Sequence, residues 1–309
     1  MNKLIIISGT TATGKSKIAQ KIAKNFDGIK ISADSRQIYK NIPLFSGLDQ
    51  QDLKSTKLVS FLNEDETFSA GDFAKKAESE IKKAYQENKI PIIVGGTSFY
   101  LKSLIYKNFL PKVQINQDLR KKLEPKSQEE LQEILKQKDP NRYKTIDLNN
   151  KPRLIRALEI INEIGFVPEN KEELKNYHIF YIWLDGSKEA RDLKIENNFK
   201  QRIENGLITE ALNLKKSLEK KYSEKEVQEI FSNLGLSYKF IYDFWNNKIS
   251  QDEFIKLGIK EEQKYAKRQI TYIKKFFQNL PGNVKKEKYD ISENGFEEKI
   301  LNDLENFLN

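Results

Sequence analysis

The sequence predicts an α/β protein in which a parallel sheet carries helices on both faces. Three observations lead to this class. Short apolar runs alternate with helical patterns over the first hundred residues, as they do in chains that form parallel sheets. A glycine-rich loop joins the first apolar run to the first helical pattern. Strand patterns then disappear between 111 and 176, which predicts an all-helical insertion in the core.

The first half of the chain gives its elements in a regular order. Short continuous apolar runs predict buried strands, and apolar residues that recur every three to four positions predict helices. Strands are expected over 4–8, 29–33 and 90–94, and helices up to about 26, over 69–87 and after Thr97, which caps the last of them.

The second half is mostly helical in pattern. Helices are expected over 119–123, 129–138 and 152–163, and after the strand at 179–184 over 190–205, 206–220, 224–233, 238–245 and 252–279. The last thirty residues are polar, and we expect them to fray. The predicted domains are a core formed by 1–110 and 177–309 and an insertion formed by 111–176.

Composition limits the chemistry. The 309 residues include no cysteine and one histidine, His178, which excludes disulfides and thiolate chemistry and argues against imidazole catalysis or a zinc site. A net charge of +9 favours a polyanionic partner such as nucleic acid, although a lysine-rich solvated surface would give the same charge. No run is long enough to span a bilayer, and no signal peptide fits the start, so a cytoplasmic protein is expected.

The glycine-rich loop predicts a phosphate-binding site. Strand, loop, Lys-Ser and helix follow one another, which is the context that the P-loop motif requires. Backbone N–H groups and the helix N-terminus would bind phosphate oxygens, Lys15 would neutralise their charge, and the Ser16 hydroxyl would ligate Mg²⁺. A glycine-rich turn that happens to precede a helix is the alternative. The loop comprises Gly9, Thr10, Thr11, Ala12, Thr13, Gly14, Lys15 and Ser16.

A second candidate is the acid that follows the strand at 29–33. Ligands of such sheets bind at the carboxyl ends of the strands, so Asp34 should lie beside the phosphates, near Gly95 and Gly96. There it would ligate Mg²⁺ or take a proton from a nucleophile; a capping or turn Asp is the alternative. The strand before Gly95 ends without the acid typical of ATP-hydrolysing P-loop proteins. The sequence therefore predicts phosphate binding without the usual means of splitting ATP.

Several motifs in a fixed order carry a resemblance to one family. They are GTTATGKS (9–16), DSRQIYK (34–40), IPIIVGGTSFYLKSL (90–104), RLIRALEI (153–160) and YAKRQIT (265–271), supported by FSAGDF (68–73) and GLITEALNL (206–214). Together they span nearly the whole chain. The sequence resembles the bacterial tRNA dimethylallyltransferases, also called tRNA isopentenyltransferases.

The resemblance implies a P-loop NTPase-like core that transfers a dimethylallyl group from its diphosphate to the exocyclic amine of the adenosine 3′ of a tRNA anticodon. Asp34 matches the general base, while Lys15, the P-loop amides and Mg²⁺ at Ser16 would stabilise the leaving diphosphate. The insertion would contact the anticodon arm, and a monomer would suffice. Positions that match tRNA contacts are Asp34, Ser35, Arg36, Gln37, Thr97, Arg120, Pro152, Arg153, Leu154, Ile155, Arg156, Lys267, Arg268 and Gln269.

The long helical pattern over 252–279 supports RNA binding on its own. A basic face beside an apolar one would let the helix pack on the core and meet a nucleic-acid backbone; an ordinary solvated face is the alternative. The basic face comprises Lys256, Lys260, Lys264, Lys267 and Lys274, and the apolar face comprises Ile255, Ile259, Ala266, Ile270, Ile273 and Phe277.

Some positions depart from the family pattern. Asn198 stands where a diphosphate-contacting Arg is usual, Lys194 and Gln263 replace other Arg residues, and Arg202 stands where Met is common. The segment 45–49 replaces the usual GTAKP. Two alternatives therefore remain: a small-molecule P-loop kinase that uses ATP, and an RNA-binding protein that has lost its transferase activity.

Overall fold

The computed structural model describes residues 2–107, 110–111, 113–168 and 175–309. The chain divides into two compact units. The core unit comprises Met1–Ile105 and Lys175–Asn309, and the insertion unit comprises Tyr106–Leu174. The sequence-based boundaries, 110/111 and 176/177, differ from these by two to five residues. Residues 108–109, 112 and 169–174, which flank them, lie outside the described part.

A parallel sheet organises the core unit. In the described residues its strands are β1 (Lys3–Gly9), β2 (Gly28–Ser32), β3 (Thr56–Lys57), β4 (Ile90–Gly95), β5 (His178–Asp185) and β6 (Lys285–Asp290). They lie in the order β3-β2-β4-β1-β5-β6, and every neighbouring pair is parallel. Strands covered by helices on both faces are apolar almost throughout, which is why β1, β4 and β5 are visible as apolar runs in the sequence.

The helices follow the chain order. They are α1 (Lys15–Asn25), α2 (Pro43–Ser46), α3 (Gln50–Ser55), α4 (Ala70–Gln86), α5 (Ser98–Ile105), α6 (Gln117–Leu123), α7 (Gln128–Lys138), α8 (Pro140–Thr145), α9 (Lys151–Ile164), α10 (Lys188–Glu204), α11 (Leu207–Leu218), α12 (Glu224–Leu234), α13 (Ile241–Trp245), α14 (Gln251–Gln278) and α15 (Phe296–Leu308). A 3₁₀ helix, Leu236–Phe240, precedes α13. None of the helices in the described ranges is long and apolar enough to cross a membrane.

Helices cover both faces of the sheet. On one face, Ile18 of α1 and Leu304 of α15 belong to the same apolar cluster as Ile182 of β5. On the other face, the ring of Phe276 in α14 meets the edge of Tyr181 in β5 at a centroid distance of 5.6 Å. This arrangement confirms the predicted α/β class with helices on both sides of a parallel sheet.

The C-terminal residues form regular structure, so the expectation that they fray was wrong. β6 pairs with β5 along its whole length. Its charged sequence is tolerated because β6 is an edge strand in which Tyr289 is the one buried residue. α15 buries Ile300, Leu304 and Phe307 at helical spacing, a pattern that the many polar residues around it obscured.

The long helix α14 confirms one predicted face and corrects the other. All five lysines of the predicted basic face are exposed. The buried face is rotated from the predicted apolar one and includes Phe254, Gly258, Glu261, Glu262, Ala266, Gln269, Ile273 and Phe276. Glu262 and Gln269 are buried there because they line a cavity described below, which apolar spacing alone does not reveal.

The insertion unit has its own apolar core. In its described residues it consists of α6–α9, of which α8 was not predicted from the sequence. Leu131, Leu135 and Leu154 are fully buried within it. Asn116, Ser127, Asp139 and Asn150 cap the N-termini of its helices, each side chain accepting a backbone N–H.

Candidate active site

The order of the strands brings the predicted motifs together. The P-loop follows β1, the Gly95-Gly96-Thr97 turn follows β4, and Asp34 follows β2. Since β2, β4 and β1 are neighbours and parallel, these three segments leave the sheet side by side at its carboxyl edge. That edge is where sheets of this class bind ligands.

The P-loop is held by its own side chains. Gly14, at the N-terminus of α1, has φ 80°, a backbone conformation that glycine adopts without strain. The Thr10 carbonyl accepts hydrogen bonds from Thr13 Oγ1 at 2.9 Å and from Lys15 Nζ at 2.5 Å. Burial lowers the pKa of Lys15 to about 8, against the opposing effect of the Asp34 carboxylate. The loop therefore presents a cation with little solvation, which favours an incoming anion.

A cavity of about 810 Å³ opens in front of this edge. Thr11, Ala12, Gly14, Lys15 and Ser16 of the P-loop line it, as do Asp34, Arg36 and Gln37. The remaining walls come from the α2–α3 region, from α10 and from α14. The structure thus places the predicted phosphate site and the predicted acid in one cavity.

Asp34 is oriented by the backbone around it. One of its oxygens, Oδ1, accepts the Arg36 N–H at 2.9 Å. The next residue, Ser35, donates its N–H to Thr97 Oγ1 at 3.2 Å, and Gln37 Oε1 accepts from Ser32 Oγ at 2.8 Å. Within the described residues, Asp34 Oδ2 accepts no hydrogen bond. One oxygen is thus anchored while the other is available to a ligand.

Two residues of α14, Gln269 and Tyr265, complete the site, and sequence analysis gave no role to Tyr265. Gln269 is buried, and its Oε1 accepts the Thr11 N–H of the P-loop at 3.0 Å. A Cβ on Gly96 would lie 2.3 Å from Gln269 Nε2, so a larger residue there would displace the Gln269 amide. Tyr265 lies at the same cavity, and burial together with the Asp34 charge raises its pKa to about 12. Gln269 therefore supports the P-loop, whereas the resemblance had placed it among the tRNA contacts.

Four of the predicted tRNA contacts of the insertion unit are wholly or partly buried. Leu154 and Ile155 are buried in its apolar core, so their side chains serve packing. Arg120 and Arg156 each donate to the buried Glu159 carboxylate, at 2.8 Å and 3.2 Å for the closest pairs. Burial would raise the pKa of Glu159, but its hydrogen bonds to Arg120 and Arg156 lower it overall. Both arginines remain about one-third exposed.

Other predicted contacts lie at the surface. Pro152 and Arg153 are exposed, and Arg153 lies 3.7 Å from Asp147. On α14, Lys267 is exposed and Arg268 lies 3.5 Å from Glu261. These side chains are accessible to a large partner.

Three residues of α10 that the resemblance marks as departures from the family pattern lie at or near the cavity. Asn198 lines the cavity, and Arg202, one turn further along α10, lines it too. Arg202 Nη2 is bound to both oxygens of Glu262, at 2.6 Å and 2.7 Å. Lys194 is exposed and does not line the cavity. Of these three α10 residues, Arg202 is thus the one cation at the cavity, and Glu262 neutralises it.

A P-loop at the carboxyl edge of a parallel sheet, with an acid in the same cavity, defines a phosphate-binding α/β protein equipped for group transfer. Comparison with known proteins then identifies the family. The model of the IPP transferase family matches residues 37–276, and the chain belongs to this family.

The most similar relatives that we compared match over most of their length. The tRNA dimethylallyltransferase of Caldanaerobacter subterraneus subsp. tengcongensis is 32% identical over 288 residues, which cover 89% of each chain. That of Alkaliphilus oremlandii is 32% identical, covering 99% of this chain and 98% of its own.

Solved structures agree with this result. The full-length tRNA isopentenylpyrophosphate transferase of Bacillus halodurans superposes with a TM-score of 0.69 at 27% identity, covering 100% of this chain and 97% of its own. A eukaryotic dimethylallyltransferase acting on tRNA gives a TM-score of 0.80 at 23% identity, covering 94% and 74%. This second likeness concerns the fold.

Proposed function

We propose that this protein transfers the dimethylallyl group of dimethylallyl diphosphate to the exocyclic N6 amine of the adenosine 3′ of the anticodon in tRNA. The observation that carries the proposal is the single cavity shared by the phosphate-binding Lys15 and the acid Asp34. Relatives that match over most of their length are named tRNA dimethylallyltransferases, which supports the assignment. A tRNA substrate would place the enzyme in the cytoplasm, and one chain contains every residue invoked below.

The two residues divide the chemistry between nucleophile and leaving group. The adenine N6 attacks C1 of the dimethylallyl group, and the bond from C1 to the diphosphate oxygen breaks, with its electron pair leaving on the diphosphate. Asp34 accepts the proton that N6 loses, through the oxygen that Arg36 N–H leaves free. Lys15 and the P-loop amides stabilise the charge that develops on the diphosphate.

A magnesium ion fits the donor set of the cavity. The Ser16 hydroxyl lines the cavity beside Lys15, and the described residues contain no cluster of three His, Cys, Asp or Glu side chains. Mg²⁺ commonly keeps several waters and takes its other ligands from substrate phosphates, so one hydroxyl beside a diphosphate is a suitable site. When bound, the ion would neutralise part of the diphosphate charge.

The tRNA would be held by exposed cations and read by residues near Asp34. The adenine must leave its stack to reach a cavity of this kind. Ser35, Arg36, Gln37 and Thr97 adjoin the acid and would contact the extruded nucleotide or its neighbours. The exposed lysines of α14, Arg268 and the arginines of the insertion unit would bind phosphates.

A transfer assay with radiolabelled dimethylallyl diphosphate, Mg²⁺ and unmodified tRNA tests the proposal. We expect label in tRNA with the native enzyme and a loss of about 10²–10⁴-fold in kcat for Asp34→Asn, with tRNA affinity retained. Asp243→Asn, which alters an acid half-exposed beside Lys248, is the matched control and should transfer normally. Undiminished turnover of Asp34→Asn would exclude the acid as base. Transfer of phosphate from ATP to a small acceptor, without prenyl transfer, would favour a kinase.

A further inference from the structure

One short turn supplies most of the apolar wall of the cavity. The P-loop and Asp34 sides of the cavity are polar, whereas the α2 segment and the residues after it are apolar. The apolar lining residues are Pro43, Leu44, Phe45, Leu48, Val94, Ile195 and Leu236. A hydrocarbon chain attached to a P-loop-bound diphosphate would therefore be in contact mainly with this turn.

Charged side chains hold the backbone of the turn at Leu44 and Phe45. The N–H groups of Leu44 and Phe45 donate to the Glu210 carboxylate at 2.8 Å and 2.9 Å. Their carbonyls accept from Arg202 Nη1 at 3.4 Å and 3.0 Å. Glu262 in turn binds Arg202 Nη2. We refer to Arg202, Glu210 and Glu262 as the α2 clamp.

Packing adds a second attachment to the same turn. The ring of Phe45 stacks on Tyr238 with a centroid distance of 4.1 Å, and the Tyr238 hydroxyl donates to Glu210 at 3.0 Å. A helix of four residues has almost no stability of its own. The position of α2 is therefore set by the clamp and by this stacking.

A second cavity lies behind the turn. It measures about 600 Å³ and is lined by Pro43, Leu44, Asn205 and Glu210, which also line the first cavity. The turn and the clamp residue Glu210 thus form the partition between two spaces. Displacing the turn would join the two spaces and lengthen the room available to a bound chain.

We propose that Arg202 and Glu210 are specificity-determining positioning residues: by fixing the α2 turn, they close the hydrocarbon end of the cavity and restrict the donor to a short allylic diphosphate. This inference rests on the proposed prenyl transfer. Neither residue takes part in the chemistry, so they should govern which donor is used rather than how the transfer occurs.

Donor selectivity tests the inference. The ratio of kcat/KM for dimethylallyl diphosphate over geranyl diphosphate is measured with unmodified tRNA for the native enzyme and Arg202→Met, which keeps an unbranched side chain without the charge. We expect the ratio to fall about tenfold or more, chiefly through better use of the geranyl donor. Arg202→Lys should restore part of the selectivity because it keeps a donor for the carbonyls. Lys200→Met, which breaks only an exposed ion pair on the same helix, is the control and should leave the ratio unchanged.

A second variant guards against misfolding of the first. Glu210→Gln loses the negative charge and one acceptor oxygen but keeps the side-chain volume, and we expect the same direction of change with it. An unaltered ratio in whichever clamp variants show native circular dichroism would overturn the inference while leaving prenyl transfer established. A native enzyme that transfers neither donor would overturn both the proposed function and this inference.

Discussion

Raising the pH above 8 should weaken the binding of dimethylallyl diphosphate through Lys15. Burial lowers the pKa of this ammonium group from 10.5 to about 8, so the free enzyme loses the charge above that pH. A bound diphosphate favours the ammonium form, and its affinity then falls about tenfold for each further pH unit. At pH 9.5 the loss would be roughly 30-fold relative to pH 7, or about 2 kcal/mol.

Equilibrium dialysis with radiolabelled donor at constant ionic strength, between pH 7 and 10, measures this effect. The charge of the donor stays nearly constant over this pH range, because the last ionisation of such a phosphate group has a pKa near 6. Lys15→Arg is the control, because a guanidinium stays charged throughout the range and its curve should be flat. In Asp34→Asn the midpoint should move to lower pH, because the Asp34 carboxylate raises the pKa of Lys15.

The stability of the free enzyme should change in the opposite sense. The unfolded chain keeps Lys15 protonated up to about pH 10.5, whereas the folded enzyme loses this proton near 8. The unfolded state therefore binds more protons between these values, and Lys15 contributes a rising free energy of unfolding as the pH increases through that window. A binding curve with its midpoint near 10.5, or an equal slope in Lys15→Arg, would refute the reasoning.

Three further predictions concern supporting residues. Gln269→Leu removes the acceptor for the Thr11 N–H. KM for the donor should rise about fivefold, which corresponds to about 1 kcal/mol of lost binding free energy. An unchanged KM in steady-state assays would contradict this supporting role. Lys30→Met leaves the Asp52 carboxylate buried without its 2.5 Å partner and should lower the free energy of unfolding, measured in urea, by about 3 kcal/mol. The double variant Lys30→Met with Asp52→Leu should lose less of this free energy. Equal losses in the two variants would show that the ion pair does not set the stability. Glu159→Gln weakens the hydrogen bonds that orient the guanidinium groups of Arg120 and Arg156. The Kd for tRNA in filter binding should rise several-fold, while kcat at saturating tRNA should be unchanged.

The parts of the fold that the sequence predicts are those with local causes. The P-loop follows from glycines and a Lys-Ser pair at fixed spacing, and β1 and β4 follow from buried apolar runs. Asp34 was placed at the site because parallel strands end at the same edge. Each of these inferences needs only neighbouring residues and one general rule of sheet topology.

The parts that the sequence does not predict depend on distant partners. The charged strand β6 is stable because it pairs with β5, about a hundred residues earlier in the chain. Glu262 is buried although it lies in a lysine-rich helix, because it pairs with Arg202 of α10. Gln269 belongs to a motif that the resemblance links to RNA contact, and its hydrogen bond to Thr11 of the P-loop is visible only in the folded chain. Tertiary contacts of this kind leave no periodic trace in the sequence.

The charges that line the cavity make Lys15 its main cation for a bound diphosphate. In the described residues, the cations that line the cavity are Lys15, Arg36 and Arg202. Arg202 is neutralised by both oxygens of Glu262, and Asn198, one turn earlier on α10, adds no charge to the cavity. Arg36 extends to the carbonyl of Asn233 at 3.5 Å, on the side of the site assigned to the nucleotide. Among the side chains, Lys15 therefore contributes most to stabilising the leaving diphosphate. Because the pKa of Lys15 is lowered, this stabilisation depends on pH in a range where an arginine would stay charged.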